Sequence, residues 1–304
     1  MESFAIETQN LTKRYGETAS VSSVSLHVRA GRIYGLLGRN GAGKTTTMKM
    51  LLGLVEPTAG SVRLFGKPLE GNERRALARI GSLIESPGFY PNLTGTENLR
   101  IFARLRGADE GAVKRALSVV ALPYKDKKLF SQYSLGMKQR LAIALAILHD
   151  PQLLVLDEPV NGLDPIGIAE MRAFIRRLCD EEGKTVLISS HILSEIALLA
   201  DDVGILDRGV LLEEESLQEL EARNERYTLI EVSDAPRARR LLGEVYPALA
   251  VAEKGGALRL PGDADIASLV RVLVQNDVGV REAKRCEDTL EAYFRRVTGG
   301  EGIA

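Results

Sequence analysis

The chain has 304 residues, 45% hydrophobic and 27% charged, which is enough apolar material for a large core without disulfide or metal staples. Forty basic against 41 acidic residues give a formal net charge of −1, so the balance argues against strong nonspecific attraction to nucleic acid, and no nucleic-acid partner is expected. Cys179 and Cys286 form no metal-spaced pair and fit a reduced, cytosolic setting. No stretch reaches the roughly 18 uncharged apolar residues of a membrane span, and Met1-Glu2-Ser3-Phe4 lacks the basic start of a signal peptide. Work at a membrane would therefore require a separate spanning polypeptide. The length predicts one large domain plus a smaller one, or two similar ones.

Phe4-Ala5-Ile6-Glu7 and Val24-Ser25-Leu26-His27-Val28 alternate apolar and polar residues and read as short strands. The apolar run Arg32 to Leu37 reads as a buried strand, and Thr46 to Leu52 as a helix. Between them, Gly38-Arg39-Asn40-Gly41-Ala42-Gly43-Lys44-Thr45 matches G-x-x-x-x-G-K-[ST]. Strand, glycine loop and helix make a phosphate cradle: glycines let backbone N–H groups converge on an anion, and the helix start adds a positive dipole end. Lys44 is placed to reach the β- and γ-phosphates, and the Thr45 hydroxyl to ligate Mg²⁺. The chain is expected to bind a nucleoside triphosphate.

Pro57-Thr58-Ala59-Gly60 is a turn signal before a strand at Ser61 to Gly66. Residues 94–149 read as three helices. Thr94-Gly95-Thr96-Glu97 has capping-box spacing for the first, residues 110–122 form the second and 135–149 the third. Ser134-Leu135-Gly136 opens that third helix as a further anion site. Leu153 to Leu156 reads as a fully buried strand ending in Asp157-Glu158. These carboxylates suit the two tasks left beside a phosphate loop, Asp157 holding Mg²⁺ and Glu158 acting as general base or positioner for the attacking water. A helix at 166–182, a strand at 185–189 and a helix at 192–200 follow. A hairpin then turns at Asp207-Arg208-Gly209, and the charged stretch 213–226 reads as a helix with a capping box at Ser216 and Glu219. Residues 227–304 read as strand, helix, hairpin, helix, strand and a last helix opening at Asp288. They carry no chemical motif.

Tyr133-Ser134-Leu135-Gly136-Met137, lying between the phosphate loop and Asp157-Glu158, resembles the signature motif of ATP-binding cassette (ABC) ATPases, usually Leu-Ser-Gly-Gly-Gln. It keeps the serine and the second glycine and replaces the first glycine and the glutamine. Further features are similar in order. Asn161-Gly162-Leu163-Asp164 resembles the D-loop that crosses between two sites of a dimer, and Ser190-His191 the switch histidine that the family brings to the γ-phosphate. Tyr15 in Lys13-Arg14-Tyr15-Gly16 matches the aromatic that stacks on adenine. Glu85 stands where most members carry the Q-loop glutamine that approaches Mg²⁺ and the attacking water, which implies a metal-proximal and coupling role for this carboxylate. Ile84 to Leu99, together with the altered signature motif, is similar to bacitracin-resistance and lantibiotic-immunity exporters.

The resemblance covers residues 4 to about 215. It implies an α/β fold, a P-loop NTPase ABC ATPase core with an antiparallel β subdomain and a helical subdomain (about 86–150), within an ATP-binding domain of 1–226. Residues 227–304 follow as a small accessory α+β domain. The implied assembly is an ATP sandwich of two copies, in which Tyr15, Gly38 to Thr46 and Mg²⁺ face the Ser134, Gly136 and Asp164 of the other copy. Glu158, His191, Lys44 and Glu85 form the implied catalytic set. The implied function is the ATPase subunit of an exporter, peripheral on the cytoplasmic face through a separate transmembrane permease. A soluble ABC switch in translation or repair is the alternative. Single-cassette length and the short stretch between Lys44 and Ser134, which leaves no room for a coiled-coil arm, speak against it.

Overall fold

Polar residues do not end the first strand. It runs over Phe4–Tyr15 (β1), well past the expected Glu7, and pairs with Thr18–Val24 (β2) and His27–Arg29 (β3). Thr8 explains both the length and the break between β2 and β3. Its buried hydroxyl donates to Val24 O at 3.0 Å and accepts from Leu26 N at 2.7 Å, so the side chain replaces two ladder bonds. The single run expected over 24–28 is therefore divided. Ile33–Leu37 (β4) is buried at every position and leads through the glycine loop into Lys44–Leu51 (α1). Ala59–Leu64 (β5) and Lys67–Pro68 (β6) complete an antiparallel sheet of order β2-β1-β5-β6, with β3 joined to β1.

A short helix, Glu73–Leu77 (α2), and the strand Ile80–Leu83 (β7) come next; neither stood out in the sequence. Gly95–Arg106 (α3), Glu110–Val119 (α4) and Leu135–Ile147 (α5) are the three helices expected over 94–149. Thr94 caps α3 in a full capping box: its hydroxyl accepts from Glu97 N at 3.2 Å, and its own N–H donates to Glu97 Oε2 at 2.8 Å. The buried Asn98 amide pins the preceding loop, bonding Tyr90 N at 2.8 Å and Tyr90 O at 3.1 Å.

Leu153–Asp157 (β8), Pro165–Asp180 (α6), Thr185–Ser190 (β9), Leu193–Ala197 (α7), Asp202–Asp207 (β10) and Val210–Ser216 (β11) finish the central sheet. Its order is β11-β10-β4-β9-β8-β7, parallel except for the edge strand β11. The carboxyl ends of β4, β7, β8 and β9 thus meet at one edge, where ligands of open α/β sheets bind. Residues 213–216, expected to be helical, are strand. They pair with 202–205, and Glu214 accepts from the buried Tyr34 hydroxyl and from His27 N, both at 2.7 Å. Ladder and side-chain bonds outweigh the helical preference of glutamate, so the helix begins at Leu217 and covers Leu217–Ala222 (α8) among the described residues.

The structure describes residues 3–85, 87–222, 226–262, 264–287, 293–294 and 297–298 of the computed structural model. The chain divides into a unit up to Gln218 and a unit from Glu219 to Gly300, ahead of the expected 226/227 boundary. The second unit contains Arg226–Val232 (β12), Ala235–Val245 (α9), Ala252–Lys254 (β13), Ala257–Pro261 (β14), Ile266–Gln275 (α10) and Val280–Glu287 (β15). Its antiparallel sheet has the order β13-β14-β12-β15, a ferredoxin-like split βαβ. Ile230, Val232, Leu242, Leu258, Leu260 and Leu273 form its core. The α+β expectation is met; the expected helix from Asp288 lies largely outside the described residues.

Helix α5 approaches β7 so closely that a Cβ on Gly81 would stand 2.1 Å from Ala146 O, a backbone atom. Gly81→Ala should therefore lower stability by about 1–3 kcal/mol, read as a reduced midpoint of urea unfolding at unchanged slope.

Candidate nucleotide site

The loop after β4 is held by its neighbours. A Cβ at Gly38 would lie 2.4 Å from Leu206 O, and one at Gly43 would lie 2.6 Å from Ser20 O. Gly43 also has φ 103° and occupies the N-cap of α1, where no side chain accepts from the first turn. Helices α3, α4, α5 and α6 are instead capped by Thr94, Asp109, Ser134 and Asp164. The start of α1 thus leaves its amides and dipole end to an anion. The buried Lys44 folds back on the loop, donating from Nζ to Gly38 O at 2.6 Å and to Arg39 O at 3.2 Å. Asn40 and Gly41 are exposed at the tip, while Ala42 is buried. The Thr46 hydroxyl lies 3.1 Å from that of Ser20.

Parallel pairing brings the acids to this loop. Asp157 is in register with Ser189 across β8 and β9. Thr45 Oγ1 donates to Asp157 Oδ2 at 2.7 Å, and Ser189 Oγ to Asp157 Oδ1 at 2.5 Å. The same serine oxygen accepts from Glu158 N at 3.0 Å, where the chain leaves the strand with a left-handed φ of 49°. Glu158 Oε2 lies 2.8 Å from His191 Nδ1. Glu158 Oε1 stands 3.3 Å from Lys44 Nζ, an ion-pair distance without hydrogen-bond geometry, so this buried oxygen keeps its accepting capacity. Lys44, Thr45, Asp157, Glu158 and His191 therefore form one connected set. Ser189 is its centre, and the sequence reading passed over it. The available signal was a hydroxyl at the end of an apolar strand, two positions before His191.

The donors offered to a metal are a hydroxyl and a carboxylate, a hard oxygen set that fits Mg²⁺. Among the described residues no group of three His, Cys, Asp or Glu side chains could hold a metal ion, so phosphate and water oxygens must complete any such sphere.

The other expected residues lie apart from this set. Tyr15 ends β1, 54% exposed as a residue, with Lys13 Nζ 5.2 Å from its ring centroid. Ser134 is exposed at the N-cap of α5 and accepts from Met137 N at 3.3 Å. Gly136 follows in the first turn of α5. Asp164 is exposed at the N-cap of α6, accepting from Gly167 N at 2.8 Å. Glu85, expected near the metal, is instead bonded to Lys49 Nζ at 2.6 Å with its side chain 70% exposed. The shared bond holds both charged, lowering the carboxyl pKa and raising that of the ammonium.

The ABC transporter family model matches residues 21–161. The bacitracin transport ATP-binding protein BcrA of Enterococcus faecalis is 50% identical over 303 residues, covering 99% of this chain and 98% of the relative. The lantibiotic transport ATP-binding protein SrtF of Streptococcus pyogenes is 45% identical over 211 residues, covering 69% of this chain and 90% of the relative. A solved dimeric bacterial ABC transporter cassette superposes with a TM-score of 0.62 at 26% identity, covering 70% of this chain and 98% of that one. With an ATPase cassette fold and near-full-length identity to transport ATP-binding subunits, the chain belongs to the ABC transporter family as an ATP-binding, ATP-hydrolysing subunit.

Proposed function

We propose that the protein hydrolyses ATP between two copies of itself and so drives export of a peptide antibiotic or similar amphiphile through a separate permease. The carrying observation is a site that is half built. Lys44, Thr45, Asp157, Glu158 and His191 are joined, whereas Ser134 stands exposed at the start of α5 and bonds Met137 N. Two copies facing each other would set the uncapped start of α1 and the start of α5 on opposite sides of one triphosphate. Among the described residues no helix is long and apolar enough to cross a membrane. In this reading the site works at the cytoplasmic face through the permease. The cargo class follows the printed functions of the relatives, whose transport roles also disfavour a soluble switch in translation or repair.

In this reading, the exposed Tyr15 ring stacks on adenine, and the loop amides with Lys44 hold the phosphates. Thr45 and Asp157 would hold Mg²⁺, which supplies neutralisation of the phosphate oxygens. A water attacks the γ-phosphorus, its proton passes toward Glu158 Oε1, and the bond to the β–γ bridging oxygen breaks to leave ADP. His191 keeps Glu158 aimed through Nδ1 while its Nε2 is left for the γ-phosphate. Ser189 holds the Asp157 carboxylate and the Glu158 backbone at once. Loss of the γ-phosphate removes the bridge between copies, and the subunits part.

Glu158→Gln should cut steady-state hydrolysis by about 10²–10⁴-fold while retaining ATP binding, and should elute as an ATP-dependent dimer in size-exclusion chromatography. Normal turnover in that variant would remove Glu158 as the base. Ser189→Ala should lower kcat by roughly ten-fold or more with little change in KM, since it releases Asp157 and Glu158 together. Mixing inactive Lys44→Ala with inactive Ser134→Arg protein should regain hydrolysis, because one composite site of each mixed dimer is intact. A mixture as inactive as its parts would contradict the shared site.

A further inference from the structure

Strand β7 is parallel to β8, with Leu83 opposite Leu156, so Glu85 leaves the sheet at the same edge as Asp157 and Glu158. Three carboxylates thus emerge from adjacent strands beside a loop that must receive a triphosphate. A nucleotide adds further negative charge at this edge. Glu85 is also held at φ 61°, a left-handed conformation unusual for a residue with a side chain. One cation meets it there. Lys49 lies one turn after Thr45 on the same face of α1, and its Nζ meets Glu85 Oε1 at 2.6 Å. Thr45, on that same face, donates to Asp157 Oδ2 at 2.7 Å, so Lys49 and Asp157 flank one turn of the helix.

We propose that Lys49 is a positioning residue of the nucleotide site, which holds the Glu85 carboxylate against α1 and is itself held away from Asp157 by that carboxylate. The pair fixes the loop after β7 to the helix that carries Lys44 and Thr45. Each partner cancels a charge that would otherwise disturb the metal-binding oxygens. Without Lys49, Glu85 is an uncompensated anion at that edge. Without Glu85, the ammonium is free to turn to Asp157 and compete with Mg²⁺ there. A glutamine at position 85 is therefore not a neutral replacement in this chain. An exposed ion pair adds little to fold stability, so the arrangement acts on the site rather than on the fold.

This inference rests on the reading that Thr45 and Asp157 take Mg²⁺ with ATP. Its test is a double-mutant cycle of Lys49→Gln and Glu85→Gln, with Lys49→Arg as the conservative variant. Two quantities are read: the Mg²⁺ concentration that half-saturates binding of a fluorescent ATP analogue, and the kcat and KM of hydrolysis. Glu85→Gln should raise the half-saturating Mg²⁺ concentration about three- to ten-fold, and the double variant should return toward wild type. Lys49→Gln should lower kcat by a similar factor, with Lys49→Arg restoring it and the thermal midpoint unmoved in all four. Independent effects, in which the double variant shows the product of the two single changes, would overturn the assignment, as would a Lys49→Gln protein equal to wild type. A wild type that binds the analogue equally well with and without Mg²⁺ would instead defeat the underlying metal-site reading.

Discussion

Asp157 is bonded by a hydroxyl from each side, Thr45 on one oxygen and Ser189 on the other, and the site's arrangement depends on that double attachment. It ties the first turn of α1 to the ends of β8 and β9, three elements distant in sequence. Because the serine oxygen also accepts from the Glu158 backbone, the same contact sets where the chain turns and where the second carboxylate is aimed. A carboxylate held in this way on both oxygens keeps accepting capacity for a metal and needs little reorganisation when a nucleotide arrives. Such preorganisation is where most electrostatic catalysis comes from.

The division between capped and uncapped helices carries the same logic outward. Four helices close their first turns with their own Thr, Asp or Ser side chains, while α1 begins on a left-handed glycine with none. The short helices α2 and α7 also lack a side-chain cap, so what sets α1 apart is the left-handed Gly43 and the glycine loop before it. Lys44 is satisfied internally, occupying two loop carbonyls and standing within ion-pair distance of Glu158. Nucleotide binding is then an exchange of partners rather than the burial of a bare ammonium.

The glycine loop, the buried strand before Asp157 and the capped helices were legible because each is written in local spacing that physics rewards locally. The three helices over 94–149 and the order of elements after 226 emerged for the same reason. What stayed hidden depends on partners far along the chain. The extension of β1 rests on Thr8 bonding residues beyond a hairpin, and the strand at 213–216 rests on Tyr34 and His27 claiming Glu214. Ser189 looked like one more residue of a buried strand until the register of β8 and β9 set it opposite Asp157. Glu85 was marked by its place in the loop, but the partner that determines its direction is on another element.

The strand β11 closes one edge of the central sheet, and it carries Glu213, Glu214 and Glu215 in succession. The middle carboxylate of that run is used inside the fold, since Glu214 accepts from Tyr34 of β4 and from His27 of β3. A charge run that reads as a solvent-facing helix thus acts as a rivet, fastening the edge of the central sheet to the antiparallel sheet beside it.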